Sequence, residues 1–157
     1  MRSIIVYYSL EGNTEHVADI IKKKKGFDVL RLSVVKEYPK SGFKKFLWGG
    51  KSAVMAETPK LNPYVFDKDA YDQIIIGFPV WAGTFAPPIR SFIKENDISD
   101  KYVSAFACQS GAGAEKAFAK LEELIGRKLE HRLILIDPKD SPDEEKDKAL
   151  DAFIEEL

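Results

Sequence analysis

Two runs of apolar residues, Ile4-Ile5-Val6-Tyr7-Tyr8 and Ile74-Ile75-Ile76, each end in a short turn that leads into a helical pattern. A strand that is apolar on both faces needs cover on both faces, and parallel sheets sandwiched by helices supply it. Further strands are predicted at residues 28–33, 102–107 and 129–137, beside those at 3–8 and 72–77. Helices are predicted between them at 13–24, 87–96, 114–125 and 142–156. This alternation specifies a three-layer α/β fold, a five-stranded parallel sheet with helices on both faces. Right-handed crossovers give the expected order 2-1-3-4-5, and ligands then bind outside the carboxyl ends of strands one and three.

The first of those ends carries Ser9-Leu10-Glu11-Gly12-Asn13-Thr14. A strand, a turn of small polar residues and an amphipathic helix make an anion site, because the first-turn N–H groups have no partner within the helix. The aligned peptide dipoles add about half a positive charge there, and phosphate is the usual occupant. Gly12 allows close backbone approach, while Ser9, Asn13 and Thr14 supply donors. The same residues also suit a plain helix cap. The loop has no Lys and no GxxxxGK[ST] or GxGxxG spacing, which excludes a nucleoside-triphosphate loop and a dinucleotide fingerprint. Within the helix, Val17, Ile20 and Ile21 form the core stripe and Gly26 marks the stop.

Residues 77–83, Gly-Phe-Pro-Val-Trp-Ala-Gly, follow the second apolar run, and Pro87-Pro88 then opens a helix. With both loops in view the chain resembles the flavodoxin-like family over nearly its whole length. Flavodoxin itself, with its FMN site, is the standard example of the strand order given above. In that family an S/T-x-T-G-N-T-type loop holds the FMN phosphate and a G-x-P-x-W-type loop lies along the isoalloxazine ring. The resemblance implies FMN as cofactor, with Ser9, Gly12, Asn13 and Thr14 on its phosphate and backbone N–H groups from Leu10 to Thr14. Glu11 replaces the Thr more usual in the family, so only its backbone is assigned a contact. Pro79, Val80, Trp81, Ala82 and Gly83 are implied beside the ring, with Trp81 stacking and Gly83 free to change backbone conformation. Gly77 is expected to let strand and ligand approach, and Phe78 and Phe85 to pack in the core. Gln109, Ser110, Gly111 and Gly113 are implied at the pyrimidine edge. That third loop lacks the aromatic that typical flavodoxins place there, leaving the outer ring face to Trp48 or to a substrate.

The chain has 157 residues, of which 45% are hydrophobic and 31% charged, as in an ordinary soluble globule. It is expected to form one domain with a helical insert at about 34–68, including a helix from about Gly42 to Met55. Phe43, Phe46, Leu47, Val54 and Met55 form the apolar face of that helix, and Gly49-Gly50 interrupt it. Net charge is −1, which offers nucleic acid little attraction. Residues 36–60 nonetheless carry six lysines, and nine acids face three lysines from Asp137 onward. The lone Cys108 cannot form an internal disulfide and is expected to be a small buried hydrophobe in a cytoplasmic protein. No apolar stretch has the length of a membrane span, and one Cys with two distant His makes no zinc spacing.

The resemblance leaves three functions open. The first is an electron carrier that passes electrons through FMN to a redox partner protein, as monomer or homodimer. The second is an FMN-dependent NAD(P)H reductase acting on a quinone or similar small acceptor. The third is a flavin-free binding domain that retains the fold.

Overall fold

The computed structural model describes residues 1–39 and 46–157, with the backbone alone at 46 and 47. Strand β1 (Ser3–Tyr7), helix α1 (Asn13–Lys25) and strand β2 (Asp28–Arg31) come first. A π turn (Phe46–Gly50) then runs into the single helical turn α2 (Lys51–Val54), and a 3-10 turn (Lys68–Ala70) precedes β3 (Gln73–Trp81). Next come β4 (Thr84–Phe85), α3 (Pro87–Glu95), β5 (Tyr102–Gln109), α4 (Ala114–Ile125), β6 (Arg132–Ile136) and α5 (Glu144–Glu156).

The parallel strands lie in the order β2-β1-β3-β5-β6, which is the expected 2-1-3-4-5 when the five are counted alone. The extra strand β4 pairs antiparallel with the end of β3, Val80 opposite Phe85 and Trp81 opposite Thr84. One face of the sheet, with Val6, Ile74, Ile76 and Ala105, packs against Ile89 and Phe92 of α3 and Phe118 and Leu121 of α4. The other face, with Ile5, Ile75, Phe106 and Leu133, packs against Val17 and Ile21 of α1 and Phe153 and Ile154 of α5. Phe78 and Phe85 are both buried, their rings edge to face at 6.1 Å, as expected of packing residues.

Several boundaries differ from the sequence reading, each for a local reason. β3 continues past Gly77 to Trp81 because its last residues are held by the returning β4. The last strand is Arg132–Ile136, and the last helix starts two residues later than expected because Asp143, in extended conformation, caps it by accepting from the Lys146 N–H. On that helix Leu150, Phe153 and Ile154 face inward, whereas Ala149 is exposed. Gly26 ends α1 in the left-handed region with its N–H bonded to the Lys22 carbonyl at 2.8 Å. Val34 bridges Leu61, burying both, where only coil was expected. The expected start of a helix at Gly42, with Phe43 and the side chains of Phe46 and Leu47, lies outside the described residues.

Gly77 has a different task from the one expected. A Cβ there would stand 2.1 Å from Cζ of Phe106 on the neighbouring strand, so the glycine makes room for a fully buried ring and not for a ligand. Gly77→Ala should destabilise the fold by about 1–3 kcal/mol, the usual cost of overpacking a core. Urea unfolding followed by circular dichroism checks this, and an unchanged midpoint would contradict it.

Candidate functional site

β1 and β3 lie side by side, Tyr7 opposite Gly77, but the helices that follow them leave to opposite faces of the sheet. The crevice between the departing chains holds a cavity of about 320 Å³, open at the carboxyl edge. That is within the range of small-molecule sites. Three loops meet there.

The first loop contributes Ser9, Leu10, Glu11, Asn13 and Thr14 to the cavity lining. Gly12 does not line it but turns the chain into α1 with φ 105°, a value that L side chains rarely adopt. Ser9 Oγ accepts the Glu15 N–H at 3.1 Å, so the helix-cap role foreseen for this loop falls to Ser9. Its hydroxyl proton remains available to donate. The N–H groups of Asn13 and Thr14 have no partner among the described residues, and they are the donors a bound anion would meet. Arg31, at the end of β2, braces the loop from behind by pairing with Glu15 at 2.6 Å and donating to the Ser9 carbonyl at 3.3 Å. Thr14 is buried. Burial pushes the Cys108 thiol up to about 12, against the lowering effect of the Thr14 hydroxyl, which keeps it neutral as a buried hydrophobe should be.

The second loop is a tight hairpin. Ala82 (φ 50°) and Gly83 (φ 74°) link β3 to β4, both positive as a type I′ turn demands. Pro79, Val80, Trp81 and Ala82 line the cavity, while Gly83 faces the third loop. There a Cβ on Gly113 would come within 2.9 Å of the Gly83 Cα, so two glycines let these loops touch. Trp81 is clamped between Tyr38, edge to face at 5.0 Å, and Tyr8 at 5.9 Å. The Tyr8 hydroxyl in turn donates to Glu37 at 2.6 Å. Gly49 completes the clamp, since a Cβ there would lie 3.3 Å from the indole.

In the third loop Gln109, Ser110 and Gly111 line the cavity, and Gly113 (φ 112°) opens α4 much as Gly12 opens α1. The Gln109 side-chain Oε1 accepts the Ala114 N–H at 3.0 Å, which leaves its amide protons for a ligand. Ser110 donates to Asp137 at 3.1 Å. The cavity therefore has two chemically distinct ends, a helix N-terminus with spare N–H groups and an apolar wall built on Trp81. A phosphate ester with a flat aromatic body matches that pair, so the residues present fit FMN.

Gly50, Cys108 and Ala112 also line the cavity and were not foreseen. Cys108 and Ala112 sit at or just beyond the carboxyl end of a predicted strand, a position that signals a ligand edge. Gly50 is brought in by tertiary packing, with no sequence signal. Trp48 does not reach this cavity. It is half exposed, under the Lys36 ammonium at 5.0 Å, in a separate open cavity of about 470 Å³ beyond Tyr38. Among the described residues no three His, Cys, Asp or Glu converge on a metal site, and no helix is long and apolar enough to cross a membrane.

Comparison with known proteins agrees with this architecture. The family model for flavodoxin matches residues 2–134. The chain belongs to the flavodoxin family. Among solved structures it is similar to a flavoprotein in complex with FMN from Lactobacillus acidophilus, at 22% identity and TM-score 0.73, covering 94% of this chain and 97% of that one. It is also similar to oxidised Flavodoxin 1 from Bacillus cereus, at 18% identity and TM-score 0.58, covering 100% and 99%. An NADPH-quinone reductase from P. pentosaceus aligns at 11% identity and TM-score 0.61, covering 99% and 97%. At these identities the likeness is one of fold. No curated protein matches the chain.

For a flavodoxin-family hairpin, an alanine at φ 50° is a local strain beside the cavity. The left-handed region costs a non-glycine residue about 1–2 kcal/mol, partly offset by the chain entropy a glycine would lose. Ala82→Gly should therefore raise stability by up to about 1 kcal/mol, visible as a higher melting temperature. A lower melting temperature would contradict the strain assignment.

Proposed function

We propose that the chain binds FMN in the three-loop cavity and works as an electron carrier between partner proteins. The observation that carries this reading is that Trp81 and the unpaired N–H groups of α1 open onto one cavity of about 320 Å³. When bound, FMN supplies the redox chemistry, and the protein supplies binding, orientation and electrostatics.

Asn13 and Thr14 N–H groups and the Ser9 hydroxyl hold the phosphate, in the field of the α1 dipole. Trp81 packs on the ring, a contact that adds about 1 kcal/mol to its burial. Because Tyr8, Tyr38 and Gly49 fix the indole from behind, little freedom is lost when the ring arrives. The Gln109 amide and the Gly111 backbone serve the polar ring edge. Residues 1–157 act as a single domain with an insert at about 34–68, and all three loops come from one copy. The membership of the family and the neighbour that holds FMN support this reading.

One observation favours the reductase as a second reading. Ser110, Gly111 and Ala112 are exposed, and Trp48 lies elsewhere, so an acceptor has a path to the ring on that side. A neighbour described as an NADPH-quinone reductase shares the fold. Anaerobic reduction of the FMN-loaded protein separates the two. The carrier should titrate in two resolved one-electron waves and ignore NADPH and NADH. Rapid bleaching by either nicotinamide would overturn the carrier in favour of the reductase. Failure to take up FMN would overturn both and leave a flavin-free domain.

A further inference from the structure

The phosphate loop contains no cation of its own, yet the fold brings one to it from 126 residues away. The segment after β6 turns back across the carboxyl edge of the sheet. Its path is fixed at Asp137, whose backbone sits at φ 40°, a left-handed conformation that Asp tolerates better than most residues. The Asp137 N–H donates to the Gln109 carbonyl at 3.1 Å, and its carboxylate accepts from Ser110 at 3.1 Å. The Ser141 N–H closes the turn on the Asp137 carbonyl at 2.8 Å, and Pro138 is buried beneath it. Lys139 then donates its backbone N–H to Asn13 Oδ1 at 3.0 Å. These bonds deliver the Lys139 side chain over the first loop, into the space that Gly12 leaves open. A Cβ on Gly12 would come within 2.9 Å of Lys139 Nζ.

That ammonium stands at Gly12, the N-cap of α1. The N-terminus of α1 already carries a partial positive charge, which repels a cation and favours an anion. Among the described residues no carboxylate pairs with Lys139 Nζ. Its bonded backbone, and not an ion pair, holds the side chain there. A phosphate dianion between the helix N-terminus and the ammonium would turn this repulsion into attraction from two sides, with a charge-assisted hydrogen bond as the contact.

We propose that Lys139 is a specificity-determining residue that selects the phosphorylated flavin over its uncharged, unphosphorylated counterpart. This rests on the FMN reading above and adds to it a cation supplied by the loop after β6. The selecting charge is exposed, so its contribution should weaken as salt is added.

The test compares Lys139→Gln with the native protein for binding of FMN and of riboflavin, by calorimetry, at low and high ionic strength. The substitution keeps the backbone N–H that bonds Asn13, so the loop stays anchored. At low salt Lys139→Gln should weaken FMN about tenfold, the size of one charge-assisted hydrogen bond, and leave riboflavin unchanged. The difference from native should shrink at high salt. Lys94→Gln, an exposed lysine at the end of α3, should alter neither ligand. Unchanged FMN affinity in Lys139→Gln would overturn the proposal, as would equal weakening of both ligands, which marks a merely structural role. A native protein that binds no FMN, or binds it no better than riboflavin, would overturn the cofactor and phosphate reading itself.

Discussion

The parallel pairing of β1 with β3 is the constraint on which the rest of the site depends. Its register sets Tyr7 beside Gly77, and the Tyr8 N–H still reaches the Gly77 carbonyl at 3.1 Å, so β1 stays paired to its end while β3 runs on to Trp81. From there the chain leaves to α1 on one face and toward α3 on the other. Among the described residues no side chain fills the gap, because the covering helices diverge from it. On its other side β3 pairs with β5, which sets Gly77 opposite Phe106, and on the α1 face that ring occupies the space a Gly77 side chain would need. Cavity formation and core packing thus meet at the end of β3, one from its pairing with β1 and the other from its pairing with β5.

The layers and strand order were legible because they rest on local patterns, continuous branched apolar runs alternating with amphipathic stretches. The loops were legible for the same reason, since each follows its strand directly in sequence. What sequence missed is nonlocal. The segment 78–81 reads as loop because Pro79 has no N–H for a ladder, yet it is strand, its register held by β4 and the Ala82-Gly83 turn. The glycine at 77 looks the same whether it faces a ligand or a phenylalanine, and only the neighbouring strand decides. Trp48 was the natural candidate for the ring face by residue type, but its neighbour Gly49 takes the place against Trp81. Lys139, three residues beyond the end of β6, is tied to the first loop by a contact across 126 residues, which no local pattern reveals.

Fold and family do not fix the chemistry, since one architecture hosts both carriers and reductases. The differences must lie in what surrounds the cavity. Here an aromatic clamp of Tyr8, Tyr38 and Trp81 builds one wall, and burial raises both phenols above their ordinary range, leaving them uncharged beside the site. On the far side of Tyr38 lies a cavity edged by Lys36, Lys51 and Lys60. The rim toward the third loop is short, polar and exposed. Positive charge therefore stands at the α1 N-terminus, with Lys139 beside it, and separately in the lysine-edged cavity near Trp48, with the aromatic wall between them.

We propose that one cavity holds a flavin by its ring and its phosphate at opposite ends. Backbone amide NMR of the chain titrated with FMN, and separately with riboflavin, tests it most directly. FMN should move the amides of Gly12, Asn13 and Thr14 together with those of Trp81 to Gly83 and Gln109 to Gly111. Riboflavin should move the last two groups and leave the first in place. Shifts centred on Lys36, Lys51 and Lys60, or the same response at Asn13 and Thr14 to both ligands, would contradict it.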